Sequence, residues 1–227
     1  MDLALFRTRA AEMGTALYRS VLDSNDVEAL LLGEEITSVG RMAKVAQQLE
    51  ASVEGRAILA ERPTIGSDTV DLAELAALPE GSLGRTYVEH LERNGLDIDA
   101  LGTRVTRGAA EQDNYLLERV RQTHDIWHTM LGLGTEPYEE ILVHAFQWDQ
   151  LFMPYSALVV SIGTLKHLLP ERRWPLVRRG LRQARRAGRD ASPLLAVYWE
   201  KRWDEDIDDL RRWLGVRPAS AWGVGLA

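Results

Sequence analysis

The chain contains no cysteine in its 227 residues. That excludes disulfides, thiolate metal ligands and a cysteine nucleophile, and says little about compartment. Lysine is scarce as well: only Lys44, Lys166 and Lys201 occur, and arginine supplies the rest of the 27 basic charges. Against 34 acidic residues these leave a net charge of −7, which argues against nucleic acid as a partner. No apolar run approaches the roughly 18 residues that a bilayer-spanning helix needs. The apolar stretch Leu3 to Phe6 is cut short by Arg7 and Arg9, so no signal peptide is read there. The expected location is cytoplasmic, with peripheral attachment to a membrane surface. A G-x-S-x-G elbow, a Gly-rich phosphate loop and a dinucleotide fingerprint are all missing. So is any sustained apolar/polar alternation, and no strand is expected.

Helical periodicity is present almost everywhere instead. Ala and Leu recur at spacings of three and four over 9–24, 26–32, 34–51 and 53–60, with Asp26 and Asp71 placed as N-caps. Residues 62–68 and 78–84 read as connectors, leading to a helix at about 85–94 and a short helix with a loop over 96–109. A long helix is expected from 113 to 131, stopped by Gly132 and Gly134. Pro137 then opens a helix to about 152, with a continuation over 155–168. Further helices are expected at about 173–187, 191–202 and 204–214. The predicted fold is all-α, a single multi-helix domain spanning 1–227.

Chemistry concentrates in His124-Asp125-Ile126-Trp127-His128, followed after eleven residues by Glu140. On a helix, His124 and His128 project from one face a turn apart, a spacing that can grip one divalent cation. The Gly-containing turn makes a helix hairpin that returns Glu140 toward the histidines. Asp125 adds a second carboxylate, and a nitrogen–oxygen set without thiolate suits zinc, iron, cobalt or manganese. Arg121, three residues before His124, reads either as an anion clamp for a carboxylate or phosphate, or as a surface bridge to Glu118 or Asp125. His144, four after Glu140, can join the site but reads first as structural, and His90 and His167 have no partner pattern. Most of the seven Trp read as packing, with a minority lining an apolar channel. The Arg-rich stretch 172–189 has helical spacing and suits an anionic membrane surface, an acidic partner or the chain's own acidic stretch Asp204–Asp209.

His124-Asp125-x-x-His128-x11-Glu140 resembles the H-D-x-x-H-x11-E motif of the ubiquinone (coenzyme Q) biosynthesis protein Coq-four family. Leu78-Pro79-Glu80-Gly81-Ser82-Leu83-Gly84 with Tyr87 is similar to that family's L-P-x-G-[ST]-[FL]-G-x-x-Y segment. So are Arg62-Pro63-Thr64, the run Tyr115 to Arg121, and Val197-Tyr198-Trp199-Glu200, and the resemblance is strongest over 55–214. The chain departs from the family at Glu139, where Gly is usual. It departs again at Phe152, which replaces the Gly of a Q-x-G-L-P stretch, and at His90, where an aromatic or apolar residue is expected.

The resemblance implies an all-helical protein whose His124, Asp125, His128 and Glu140 hold a divalent metal, with zinc first and iron, cobalt, manganese or magnesium as alternatives. It implies an enzyme that removes a carboxyl group from ring carbon one of a prenylated hydroxybenzoate and hydroxylates that carbon. Implied partners are a prenylated aromatic or isoprenoid lipid, a membrane surface and other quinone-biosynthesis proteins; a homodimer is also admitted. Two rival readings are a non-catalytic prenyl-lipid scaffold and a metal-dependent hydrolase of an isoprenoid phosphate.

Overall fold

The computed structural model describes residues 27–101, 109–171 and 174–223, with side chains for 32–101, 109–165 and 177–223. The described residues are mainly helical and form no strand. One isolated antiparallel bridge joins Ser82 to Asp206. The helix expected over 9–24, the cap Asp26 and the side chain of His167 lie outside the described residues.

Helix α1 (Val27–Ser38) runs straight through Gly33, where the sequence places a boundary. A 3-10 turn at Val39–Arg41 then leads into α2 (Met42–Glu50) and α3 (Val53–Glu61). Asp71 caps α4 (Leu72–Ala76) as expected, accepting from the amides of Ala73 and Glu74 at 2.9 and 3.2 Å. Ser82 caps α5 (Leu83–Asn94) in the same way.

The long helix expected over 113–131 is two, α6 (Glu111–Gln122) and α7 (His124–Leu131). The break falls at Thr123, whose hydroxyl bonds back to the Arg119 carbonyl at 2.8 Å, a competition with the helical ladder that bends helices. Gly132 closes α7 at φ 65°, and Pro137 opens α8 (Pro137–Leu151) as read from sequence. After α9 (Pro154–Glu171) and α10 (Trp174–Asp190), the stretch 191–202 forms two 3-10 turns, Leu194–Ala196 and Trp199–Lys201, rather than the helix expected. Its backbone is engaged elsewhere: the Val197 carbonyl accepts from Arg119 Nη2 at 3.0 Å. Helix α11 (Ile207–Leu214) follows, capped by Asp206.

Helix α8 is the axis of the fold. Ile141, Leu142, Val143, Ala145 and Phe146 are all at least 98% buried, so it is apolar on more than one face. Its flanking helices α9 and α10 approach it closely where they present glycine. A Cβ on Gly188 would lie 2.5 Å from the Phe146 carbonyl, and one on Gly163 would lie 2.6 Å from Ile141. One apolar cluster runs from Met42 to Trp222 and takes in Trp127, Trp199 and Trp222. Among the described residues no helix is long and apolar enough to cross a membrane.

The departure at Phe152 has a conformational consequence. Phe152 ends α8 in the left-handed region, φ 51° and ψ 39°, its amide bonded to the Trp148 carbonyl at 2.8 Å. That is a glycine position at a helix C-terminus, and a side chain there costs roughly 1–2 kcal/mol. The Phe152 ring packs against Trp148 at 5.9 Å and under the Arg41 guanidinium at 5.4 Å. Both contacts offset part of that strain.

Candidate metal centre

The kink at Thr123 sets His124 at the first turn of α7, with His128 one turn on, and α8 returns Glu140 to face both. His124 Nε2 and His128 Nε2 lie 3.2 Å apart, and Glu140 Oε2 is 3.5 Å from the first and 3.4 Å from the second. Donor atoms about 2.0–2.1 Å from one cation at tetrahedral angles stand about 3.3–3.4 Å apart, so this triad has the spacing of a single four-coordinate ion. The second nitrogen of His128 is fixed as well: Nδ1–H donates to the Gly134 carbonyl at 2.8 Å. With Nδ1–H engaged there, Nε2 is the nitrogen left to bind a metal once it gives up any proton shared with Glu140, and the backbone partner sets the ring plane. Gly134 belongs to the turn between α7 and α8, so the hairpin both closes the site and orients its most buried ligand.

Electrostatics fit a cation as well. Burial works against ionisation of Glu140, but the charges and hydrogen bonds of His128 and His124 outweigh it and hold the carboxyl well below its usual range. Burial likewise opposes charge on His124, yet Glu140, then Asp125 and Glu34, raise it. A carboxylate held negative at Glu140 beside an imidazole held positive at His124 marks a place where a cation can replace the proton.

Asp125 stands apart from the triad. Its carboxyl does not join the three convergent donors; burial raises it despite His124 and His128. Asp125 and Arg121 instead line a cavity of about 260 Å³ whose wall is acidic, with Asp68, Asp97, Asp99 and Glu118.

Arg121 departs from the expected surface bridge to Glu118 or Asp125. It is 4% exposed, and its partners are buried on α1: Nε donates to Glu34 at 2.6 Å and Nη2 to Glu35 at 3.4 Å. Its Nη1 has no hydrogen-bond partner among the described residues. Glu139, where the family pattern favours Gly, closes a capping box with Glu136 at the start of α8.

Two further histidines stand beside this site: His144, which the sequence offers as a candidate member but reads first as structural, and His90, which it reads as bland. The His144 ring lies 5.4 Å from that of His124 and 5.5 Å from that of Tyr155. The His90 ring, from α5, lies 5.6 Å from that of His128. Four of the chain's five histidines therefore cluster. Burial first, then the neighbouring imidazoles, pushes His144 down to about 3 and His90 down to about 4, so both are neutral at physiological pH. The i,i+4 spacing of Glu140 and His144 on α8 was the only local sign of either.

The Arg-rich helix α10 turns its apolar side, Val177, Gly180, Ala184, Ala187 and Gly188, into the protein. Its exposed arginines divide. Arg185 and Arg189 hold Asp149 at 2.7 and 3.4 Å, while Asp208 and Asp209 pair locally with Arg211 and Arg212. Among the described residues no ion pair joins the stretch Asp204–Asp209 to α10. Arg172 and Arg173 lie outside the described residues.

Residues 2–220 match the family model described as coenzyme Q (ubiquinone) biosynthesis protein Coq4. Ubiquinone biosynthesis protein COQ4, mitochondrial, of Coprinopsis cinerea is 33% identical over 215 residues, covering 93% of this chain and 72% of that one. The mouse (Mus musculus) homologue, also named as mitochondrial, is 33% identical over 219 residues, covering 96% and 80%. A crystal structure of a putative ubiquinone biosynthesis protein from Nostoc punctiforme superposes with a TM-score of 0.73 at 25% identity, covering 92% of this chain and 98% of that one.

Proposed function

The chain belongs to the coenzyme Q (ubiquinone) biosynthesis protein Coq4 family, and from that premise we propose that it is a metal-dependent enzyme of quinone biosynthesis acting on a prenylated hydroxybenzoate. The observation that carries this reading is the triad: Nε2 of His124, Nε2 of His128 and Oε2 of Glu140 within 3.5 Å of one another, with His128 fixed by Gly134. A divalent cation held there, zinc first among the candidates, supplies Lewis acidity to an anionic oxygen. Asp125 lies next in sequence to His124 and is proposed to complete the set by rotating from the cavity wall. Arg121 serves as the carboxylate clamp only through Nη1, since Glu34 and Glu35 hold the other side of the guanidinium.

In the proposed reaction the bond between ring carbon one and the carboxyl carbon breaks, and carbon dioxide leaves. The electron pair stays on the ring and passes to dioxygen, one oxygen atom of which becomes the oxygen on ring carbon one. The other leaves as water, with the second pair of electrons and two protons coming from oxidation of the resulting para-hydroquinone to the quinone. The test is a single-turnover assay of the metal-loaded full chain with a prenylated hydroxybenzoate under labelled dioxygen. The expected result is release of one carbon dioxide and incorporation of label at ring carbon one. Substrate binding without turnover would instead support the scaffold reading, and phosphate release from a prenyl phosphate the hydrolase reading.

Membrane attachment is proposed to run through α10 electrostatically, because over 177–189 the described apolar side is turned inward and every exposed side chain is an arginine. Each arginine near an anionic surface contributes about 1 kcal/mol, and salt screens it. Arg178, Arg179 and Arg182 are exposed and form no ion pair among the described residues, so they are the ones free to meet such a surface. Replacing all three with Gln should lower flotation with anionic vesicles on the order of 100-fold at low salt. Unchanged flotation would sink the idea.

A further inference from the structure

His90 stands where the family pattern places an aromatic or apolar residue, and its ring faces His128. Its hydrogen bonding determines which nitrogen carries the proton. Asn94 Nδ2 donates to the His90 carbonyl at 2.8 Å and lies 3.3 Å from His90 Nδ1. Asn94 Oδ1 accepts from Thr135 Oγ1 at 3.3 Å, which fixes the orientation of the amide. An amide nitrogen only donates, so Nδ1 must be the acceptor, and a neutral imidazole then carries its single proton on Nε2. That Nε2 is buried in a residue 5% exposed and has no hydrogen-bond partner among the described residues. Leaving a buried N–H unpaired costs about 1–3 kcal/mol, a cost that an acceptor oxygen arriving with a ligand would remove.

We propose that His90 Nε2–H is a built-in donor to an anionic ligand oxygen bound at the His124/His128/Glu140 centre, a positioning contact. The ligand class is a carboxylate, phenolate or phosphate oxygen. The proposal rests on the metal reading of the triad and adds a residue outside the H-D-x-x-H-x11-E motif. Three residues cooperate in it: Thr135 in the α7–α8 turn orients Asn94, Asn94 sets the tautomer of His90, and His90 presents the proton, the last two from α5.

The test uses the cobalt(II)-loaded full chain, in which visible absorption reports ligands entering the metal centre. Titrations with 4-hydroxybenzoate and with inorganic phosphate separate the two sources of the oxygen. His90→Phe, close in shape and without the donor, is expected to weaken binding of at least one probe by about tenfold, the worth of a hydrogen bond to a charged group. Cobalt affinity should change by less than about threefold, since His90 is not one of the three convergent donors. His90→Gln, which keeps an N–H at similar reach, should restore most of the binding. Nitrogen-15 NMR of the wild-type imidazoles should show His90 protonated on Nε2, a readout that needs no variant.

The proposal is overturned if His90→Phe binds both probes like wild type, if it loses cobalt in parallel, or if Nδ1 carries the proton. It is also overturned if wild-type protein holds cobalt yet binds neither probe. A wild-type chain that binds no cobalt removes the metal reading itself, and this proposal with it.

Discussion

Replacing His128 with Ala is expected to lower divalent-metal affinity by more than about 100-fold and to remove turnover of a prenylated hydroxybenzoate with it. Disturbing an outer partner of a metal ligand typically costs 10–100-fold, and removing one of three ligands costs more. His128 is the strongest choice because it is fully buried and its ring is already held by Gly134. Elemental analysis after dialysis, beside a thermal melt to establish folding, measures the effect. A folded variant that retains stoichiometric metal would show that the triad is a polar cluster and not a metal centre. The same measurement on Asp125→Asn places that residue: a loss of about tenfold marks a weak or outer ligand, and a loss equal to that of His128→Ala marks a full one. Product formed by the His128 variant at the wild-type rate would remove the catalytic role and leave the scaffold.

The triad was legible in the sequence because its geometry is local. Two histidines at i,i+4, a glycine turn and a proline-opened helix determine where three side chains go, with no information from elsewhere in the chain. The same holds for Asp71 and Gly132, whose capping roles depend on a few neighbouring residues. What escaped the sequence is non-local or competitive. Thr123 splits the expected 113–131 helix because its hydroxyl competes for the Arg119 carbonyl, a choice periodicity does not register. The stretch 191–202 has helical composition, but its Val197 carbonyl is claimed by an arginine 78 residues away.

Three separate pieces of family resemblance prove to be one structure. Arg119 Nη1 donates to the Pro63 carbonyl at 3.3 Å and to Glu200 at 2.7 Å, and Tyr115 donates to the same Pro63 carbonyl at 3.1 Å. The segments around Pro63, Tyr115–Arg121 and Val197–Glu200 thus meet at one buried guanidinium, which holds α6 and so the approach to His124. His90 was missed, and His144 ranked first as structural, because a single imidazole on an amphipathic helix has no periodic signature. Only the packing of α5 and α8 against α7 brings them to the triad.

Arg121→Leu is expected to destabilise the fold by about 3–5 kcal/mol, the usual cost of leaving a buried charge without its partner. For a chain of this size that corresponds to a drop in Tm of roughly 10 °C or more. The reason lies on α1. Burial raises the Glu34 carboxyl, and the Arg121 charge and hydrogen bond are the chief influences that lower it. Without them Glu34 must take up a proton or remain charged in an apolar setting. The sign with pH follows. A carboxyl whose folded pKa is raised above its unfolded value binds more protons in the folded state, so stability falls as pH rises through the folded value. Loss of Arg121 raises Glu34 further, so the deficit of the variant should be largest near neutral pH and should shrink as pH falls toward the carboxylate range. Denaturant melts at two pH values measure this. Glu34→Gln in the Arg121→Leu background should recover a large part of the loss, because it removes the stranded charge rather than restoring the pair. A deficit below about 1 kcal/mol, or one indifferent to Glu34→Gln, would mean that α1 is not held by this pair. Arg121 would then be free to act chiefly as the clamp beside the metal.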